Sequence, residues 1–128
     1  MNVPKELRYT KEHEWVRVEG QEAVVGVTHY AQSELGDVIF VELPAPGTRV
    51  AQTKSFGTID AVKTVGDLFA PVTGEVIAVN TDLKDNPALV NQSPYAKGWM
   101  VRIRMENAKE IDSLLSSENY AKHLGAHA

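Results

Sequence analysis

The segment that most constrains the fold runs from Ser55 to Val79 and reads SFGTIDAVKTVGDLFAPVTGEVIAV. It is rich in β-branched and aromatic residues, which favour strands, and Lys63 is its only basic residue. The run divides into Phe56–Val62 and Leu68–Val79, separated by the five residues Lys63–Asp67. Pro71 and Gly74 interrupt the second half and predict a bend there, with a new strand at Glu75–Val79. Because lysine is almost never fully buried, this pattern predicts that Lys63 lies at or beside a hairpin turn. A lone lysine in such a place ordinarily does no more than keep the turn soluble.

Further short strands are predicted on both sides of this hairpin. Two alternating runs flank Gly20-Gln21 and predict a second hairpin. The run VIFVEL is almost continuously apolar and predicts a strand buried on both faces, whereas WMVRIRM alternates strictly. The predicted strands are Trp15–Glu19, Ala23–Val27, Val38–Leu43, Glu75–Val79 and residues 99–105.

Short helices are predicted at the edges of these strands. Thr28 can cap a helix that Gly36 ends. Asn107 and Glu110 resemble a capping box and precede apolar residues at helical spacing, and another short helix is predicted to begin at Ser117.

Many short strands with helices at their edges indicate a mainly β fold, built as a sandwich or a flattened barrel with a helical tail. We expect one domain over residues 1–128, with the lysine hairpin at about 55–79 and the helical tail at about 107–124.

Composition excludes several classes of function. Thirteen Lys and Arg against seventeen Asp and Glu give a net charge of −4, which argues against a nucleic-acid partner. The chain has no cysteine and therefore no disulfide, thiolate metal ligand or cysteine nucleophile. No apolar run approaches the ~20 residues that span a bilayer, and the first residues resemble neither a signal peptide nor a transit peptide. We expect no membrane association and a place in the bacterial cytoplasm, or in the mitochondrial matrix if a transit peptide has been removed.

The titratable residues form no recognisable catalytic or metal site. His123 and His127 are four residues apart, but they lie in a glycine-containing tail without a carboxylate at ligand spacing. His13 and His29 have no recognisable partner, and the common catalytic motifs are absent. We therefore expect neither catalytic residues nor a metal. Several carboxylates could supply an acid–base pair, but the sequence alone does not show which of them lie close together. They are Glu12, Glu14, Asp37, Asp60 and Asp67.

The context of Lys63 changes its interpretation. DAVK followed by GDLFAPVTGEV resembles the lipoyl-lysine hairpin of carrier domains, most closely that of the H proteins of the glycine cleavage system. Similar stretches follow the same order through nearly the whole chain. They are YTKEHEWVRVEG, VGVTHYAQSELGDVIFVELPAPG, APVTGEVIAVN, NPALVNQSPYAKGWMVRIR and LLSSENYAKHL.

The resemblance implies a barrel-sandwich hybrid fold and a carrier, not an enzyme. It implies (R)-lipoate joined covalently to Lys63 by a lipoate ligase or an octanoyl or lipoyl transferase. The arm would take an aminomethyl group from the pyridoxal-phosphate glycine decarboxylase (P protein) to the tetrahydrofolate-dependent aminomethyltransferase (T protein). Dihydrolipoyl dehydrogenase (L protein) would then reoxidise its dithiol.

The resemblance also assigns three acidic residues. Asp60 stands three residues before the lysine, where the family commonly has glutamate, and belongs to the context that the lipoylating enzymes recognise. Glu14 and Asp67 match positions of a cleft that holds the amine of the loaded arm, since a carboxylate beside an ammonium guards against release. Glu12 occupies a variable position and is given no role.

Two other interpretations remain. A related protein could relay lipoyl groups to other acceptors, and it would need the same modified lysine. A small enzyme could instead use Lys63 in a Schiff base with Asp60 or Asp67 as proton shuttle. Such a lysine needs a depressed pKa, which adjacent acids oppose.

Overall fold

The computed structural model describes residues 2–126. Its strands are β1 (Arg8–Tyr9), β2 (Glu14–Glu19), β3 (Glu22–Val27), β4 (Val38–Glu42), β5 (Arg49–Val50), β6 (Ser55–Ala61), β7 (Val65–Phe69), β8 (Gly74–Val79) and β9 (Val101–Met105). Its helices are α1 (His29–Leu35), α2 (Asp82–Asp85), α3 (Leu89–Gln92), a 3₁₀ helix (Ala108–Ser113) and α4 (Ser117–Ala126).

The strands form two antiparallel sheets. A six-stranded sheet has the order β1-β2-β3-β9-β8-β5, and a three-stranded sheet has the order β4-β6-β7. Val25 and Ile103 from the larger sheet share one buried core with Ile59 and Leu68 from the smaller sheet. Each such side chain contributes roughly 1.5–3 kcal/mol by leaving water. The predicted mainly β architecture is confirmed, and the two sheets do not close into a barrel.

The prediction that Val38–Leu43 is buried on both faces is wrong. A β-bulge interrupts the pairing of β4 with β6, so that Val38 faces Ala61 and Phe40 faces Asp60. The extra residue restarts the alternation, because two residues of the bulged strand oppose one on its partner. Val38 and Val41 are buried, whereas Ile39 and Phe40 are 61% and 49% exposed.

The hairpin turn is tighter than predicted. β7 begins at Val65 and pairs with Asp60, so Gly66 and Asp67 belong to the strand and only residues 62–64 form the turn. A hydrogen bond from the Ala61 N–H to the Thr64 carbonyl closes it at 2.9 Å. The strand pairing therefore continues almost to Lys63 and fixes where its side chain starts.

The helices begin and end largely as their caps predict. The Thr28 hydroxyl accepts a hydrogen bond from the Ala31 N–H at 3.2 Å, and Gly36 ends α1 with φ 76°. Asn107 caps a 3₁₀ helix through the Lys109 N–H. Within residues 2–126 no helix is long and apolar enough to cross a membrane.

Candidate functional site

Lys63 lies exposed at the tip of the β6–β7 hairpin. The neighbouring Val62 N–H donates to the Asp37 carbonyl at 3.0 Å, which ties the tip to the end of the loop after α1. The methylenes of the lysine lie over Gly36, where a β-carbon added to the glycine would stand 3.4 Å from Cδ of Lys63. The stem therefore rests on backbone while its amine remains accessible.

A cleft of about 190 Å³ lies between α1, β2 and β7. Glu14 and Asp67, which are 53 positions apart in the sequence, both line it, and so do Glu12 and His13. Leu35 also lines the cleft and immediately precedes Gly36, over which the Lys63 stem lies. The structure thus brings the two predicted acids together beside the predicted attachment point.

Glu14 is a buried carboxyl group with only 2% of its surface exposed. The Thr10 hydroxyl donates to Oε1 at 2.6 Å, and the Phe69 N–H donates to Oε2 at 3.2 Å. Burial raises the pKa of Glu14 to about 8, the two hydrogen bonds oppose that rise, and nearby Glu12 adds to it. At neutral pH this group is therefore largely protonated until a cation approaches.

Tyr120 fixes the other wall of the cleft. Its hydroxyl lies 2.8 Å from the Thr28 hydroxyl, which caps α1, and 2.8 Å from His13 Nδ1. His13 has φ 74°, an unusual value for a residue with a side chain, and its backbone carbonyl accepts from the Thr28 N–H at 3.0 Å. Tyr120 is fully buried and stacks on Tyr9, so α4 supports this corner through the contacts of its Tyr120 with His13 and Thr28.

Asp60 does not line the cleft. It is the last residue but one of β6 and lies directly opposite Phe40 on β4 and Val65 on β7. Directly opposed residues of antiparallel strands share one face of the sheet. Asp60 is therefore presented on the flank of the hairpin, where a protein that approaches Lys63 could contact it.

Several residues that line or support the site could not be selected from the sequence. Glu12, which received no role, lines both the cleft and a second cavity of about 380 Å³ beyond Glu14. Thr10 and Phe69 hold the Glu14 carboxyl, and neither stands out in the sequence. A Thr four residues before a Glu was the only available signal, and it is too common to be specific.

The histidines that the structure describes are not gathered with acids into a metal site. Within residues 2–126 no group of three or more His, Asp or Glu side chains could hold a metal ion. His13 contacts Tyr120, and His29 Nδ1 accepts from the Asn2 N–H at 3.3 Å. His127, which the sequence pairs with His123 at helical spacing, lies outside the described residues.

Comparison with known proteins gives a consistent set of relatives. The profile of a family described as glycine cleavage H-protein matches residues 7–127. The chain is 54% identical to the glycine cleavage system H protein of Geobacillus thermodenitrificans over 121 residues, covering 94% of this chain and 95% of that protein. It is 52% identical to the protein of the same description from Bacillus cereus strain AH187, covering 95% and 96%. A crystal structure of an H protein from Mycobacterium marinum superposes with a TM-score of 0.88 at 36% identity, covering 96% of this chain and 99% of that one.

Proposed function

This chain belongs to the glycine cleavage H-protein family, and on that premise we propose that Lys63 is the residue that bears its lipoyl group. Members of the family are lipoyl-carrying shuttles of glycine cleavage, and that is the function of this chain. It acts as a carrier among the enzymes of that system. The observation that supports Lys63 is its place at the tip of a hairpin whose two strands pair as far as Asp60 and Val65.

The surroundings of Lys63 fit a lipoyl group. The amine is exposed, and no ion pair within residues 2–126 engages it. Acylation removes the positive charge of this side chain without breaking an ion pair or hydrogen bond on which the turn depends. The bound group would supply the disulfide–dithiol chemistry that this cysteine-free chain lacks. An exposed lysine also argues against a Schiff-base enzyme, which needs a desolvated amine.

Glu14 and Asp67 would hold the amine of the aminomethyl cargo. Asp67 is exposed at the rim of the cleft, whereas Glu14 is buried in its wall. An ammonium near Glu14 favours the ionised carboxylate and lowers its pKa, so the carboxyl gives up its proton as the cation binds. The proton then returns to Glu14 when the cargo leaves, which makes retention of the amine dependent on pH.

The partners follow from this role. We propose that the P protein loads the carrier, the T protein unloads it and the L protein reoxidises it, after a lipoate ligase or an octanoyl or lipoyl transferase has modified Lys63. Family membership supports the general association with glycine cleavage enzymes. The relatives from Geobacillus and Bacillus are bacterial, which supports a location in the bacterial cytoplasm.

The attachment site is tested with Lys63→Arg. Arginine keeps the positive charge of the turn, but its guanidinium is not acylated, so the variant should fold normally and remain unmodified. In a reconstituted glycine cleavage assay its activity should equal that of the mixture lacking the carrier. Lys54→Arg is the matched control, since Lys54 is also exposed and lies at the opposite end of β6. Normal activity of Lys63→Arg would exclude the proposal.

The cleft acids are tested with Glu14→Gln and Asp67→Asn in the lipoylated, loaded protein. Each replaces a carboxylate with an amide of the same size, so we expect the cargo to be lost roughly five- to tenfold faster, equivalent to about 1–1.4 kcal/mol. Asp112→Asn, at an exposed acid outside the cleft, should release at the wild-type rate. Unchanged release in both cleft variants would remove the guarding role while leaving Lys63 as the attachment site.

A further inference from the structure

Exposed apolar side chains concentrate around Lys63. Val62 and Val65 flank it at 70% and 66% exposure, and Ile39 and Phe40 lie on the neighbouring strand β4 at 61% and 49%. We call these four residues the hairpin patch. The remaining large apolar side chain with comparable exposure in residues 2–126 is Val18, at 44%, on β2.

Backbone geometry creates the hairpin patch. The β-bulge at Ile39 turns both Ile39 and Phe40 outward, where regular alternation would bury one of them. The register then aligns Phe40, Asp60 and Val65 in one row across the three strands. Exposing these side chains costs the hydrophobic stabilisation that burying them would provide. An apolar cluster on a paired, well-defined sheet is typical of a surface that another protein covers.

The charges beside the hairpin patch indicate the character of that protein. Glu42, Thr58 and Asp67 form the next row on the same face, so Asp60 stands among further carboxylates. Across the described part of the chain, none of Asp60, Glu42 and Asp67 is paired with a Lys, Arg or His. A complementary partner presents an apolar surface bordered by Lys or Arg.

We propose that the hairpin patch is the docking surface of the enzyme that acylates Lys63. The proposal rests on Lys63 being the attachment site. An acylating enzyme must bring its acyl carbon to bonding distance of Nζ, so it has to cover the residues that flank the lysine. Enzymes that use the finished arm can dock farther from the hairpin, because the arm spans the gap. Only the attachment step requires contact with Val62 and Val65.

The reaction at this surface takes an activated acyl donor, an acyl adenylate. The Lys63 ammonium loses one proton to become the attacking amine, whose nitrogen forms a bond to the acyl carbonyl carbon. The bond from that carbon to the adenylate oxygen breaks, and AMP leaves with the electron pair. A second proton leaves the nitrogen, which gives a neutral amide with no net oxidation or reduction.

The test is the double variant Ile39→Ser, Phe40→Ser, with Val18→Ser as the matched control for removal of exposed apolar surface. Acylation is followed by intact mass with a lipoate ligase, lipoate and ATP, and kcat/KM is measured against carrier concentration. We expect kcat/KM to fall roughly tenfold or more for the double variant, mainly through KM, and less than twofold for Val18→Ser. Circular dichroism checks that each variant is folded.

A second measurement distinguishes the acylating enzyme from the enzymes that use the arm. The double variant is lipoylated to completion with excess ligase, and its rate of loading by glycine decarboxylase is then compared with that of wild type. Wild-type loading together with slow acylation supports the proposal. Unchanged acylation, or an equal loss in both steps, overturns it. If the wild-type chain itself is not acylated at Lys63, the proposed function fails instead.

Discussion

The two sheets differ in whether their exposed charged and apolar side chains have partners within the chain. The six-stranded sheet pairs most of its charged side chains in ion pairs, whereas the three-stranded sheet exposes the hairpin patch and carries carboxylates that no cation of residues 2–126 engages. The ion pairs of the larger sheet and its ends are Arg17–Glu19, Arg102–Glu19, Arg102–Glu22, Arg104–Glu75 and Arg49–Glu106. The difference indicates that the larger sheet satisfies most of its charges within the chain and serves as scaffold, while the exposed surface of the smaller sheet is the one that we propose an enzyme covers.

The largest expected effect is a loss of stability when a methyl group is added to the larger sheet at Gly74. A β-carbon there would stand 2.0 Å from the Arg104 carbonyl oxygen on the adjacent strand. Because that neighbour is backbone and cannot move alone, Gly74→Ala should lower the free energy of unfolding by ~3 kcal/mol or more. Urea denaturation measures the change.

The matched control is Gly66→Ala in β7 of the smaller sheet. Its β-carbon would meet only Ile59 Cγ2 at 3.7 Å, an ordinary contact, so the unfolding midpoint should change little. Equal sensitivity of the two glycines would show that the contact with the Arg104 carbonyl does not determine the cost of the Gly74 substitution.

Glu14 offers the next largest effect, because it joins the two sheets. It lies on β2 and accepts from the Phe69 N–H of β7. Its folded pKa of about 8 exceeds the ordinary 4.5, so the folded chain binds the proton more tightly than the unfolded chain. The resulting stabilisation is complete below pH ~4.5 and is lost as the pH rises through about 8.

Glu14→Gln should therefore remove a pH dependence that the wild type has. As the pH rises from 5 to 8, the free energy of unfolding of the wild type should fall by about 2 kcal/mol relative to that of the variant. This figure allows for relaxation of the structure around the buried charge. Urea denaturation at a series of pH values gives this difference directly. Parallel profiles for the two proteins would mean that Glu14 ionises normally and that the seam between the sheets is hydrated.

The smallest expected effects on stability come from replacing one charged residue on each sheet. Arg104→Gln breaks the pair with Glu75, but both side chains are about half exposed, so the stability change should stay below ~1 kcal/mol.

Asp60→Asn on the other sheet breaks no ion pair and should change stability by less than ~0.5 kcal/mol. It should nevertheless slow acylation of Lys63 about threefold, since it removes a carboxylate from the docking surface. Slower acylation in Arg104→Gln would contradict the division between the sheets.

Local patterns were sufficient to predict much of this structure. Alternation gave the strands of the first hairpin, and the Thr28 and Gly36 caps bounded α1 because both act through their own backbone. Lys63 could be placed at a turn because a cation inside an apolar run has few alternatives. The family resemblance supplied the acids of the cleft, which periodicity could not have selected.

The features that were missed depend on contacts between distant segments. The bulge that exposes Ile39 and Phe40 is a property of the pairing with β6, and the sequence of β4 alone does not reveal it. Glu14 is buried by residues that include Phe69, 55 positions away. Glu110 looked like a capping residue, but its carboxylate instead accepts from the N–H and hydroxyl of Thr73 at 2.7 and 2.9 Å.

The most direct test of the central claim is peptide mass spectrometry of the full chain after incubation with lipoate, ATP and a lipoate ligase that modifies a control carrier. We expect one lipoyl group per chain, located on Lys63, and none on Lys54. An unmodified chain, or a lipoyl group on another lysine, would contradict the assignment of the β6–β7 hairpin as the carrier site.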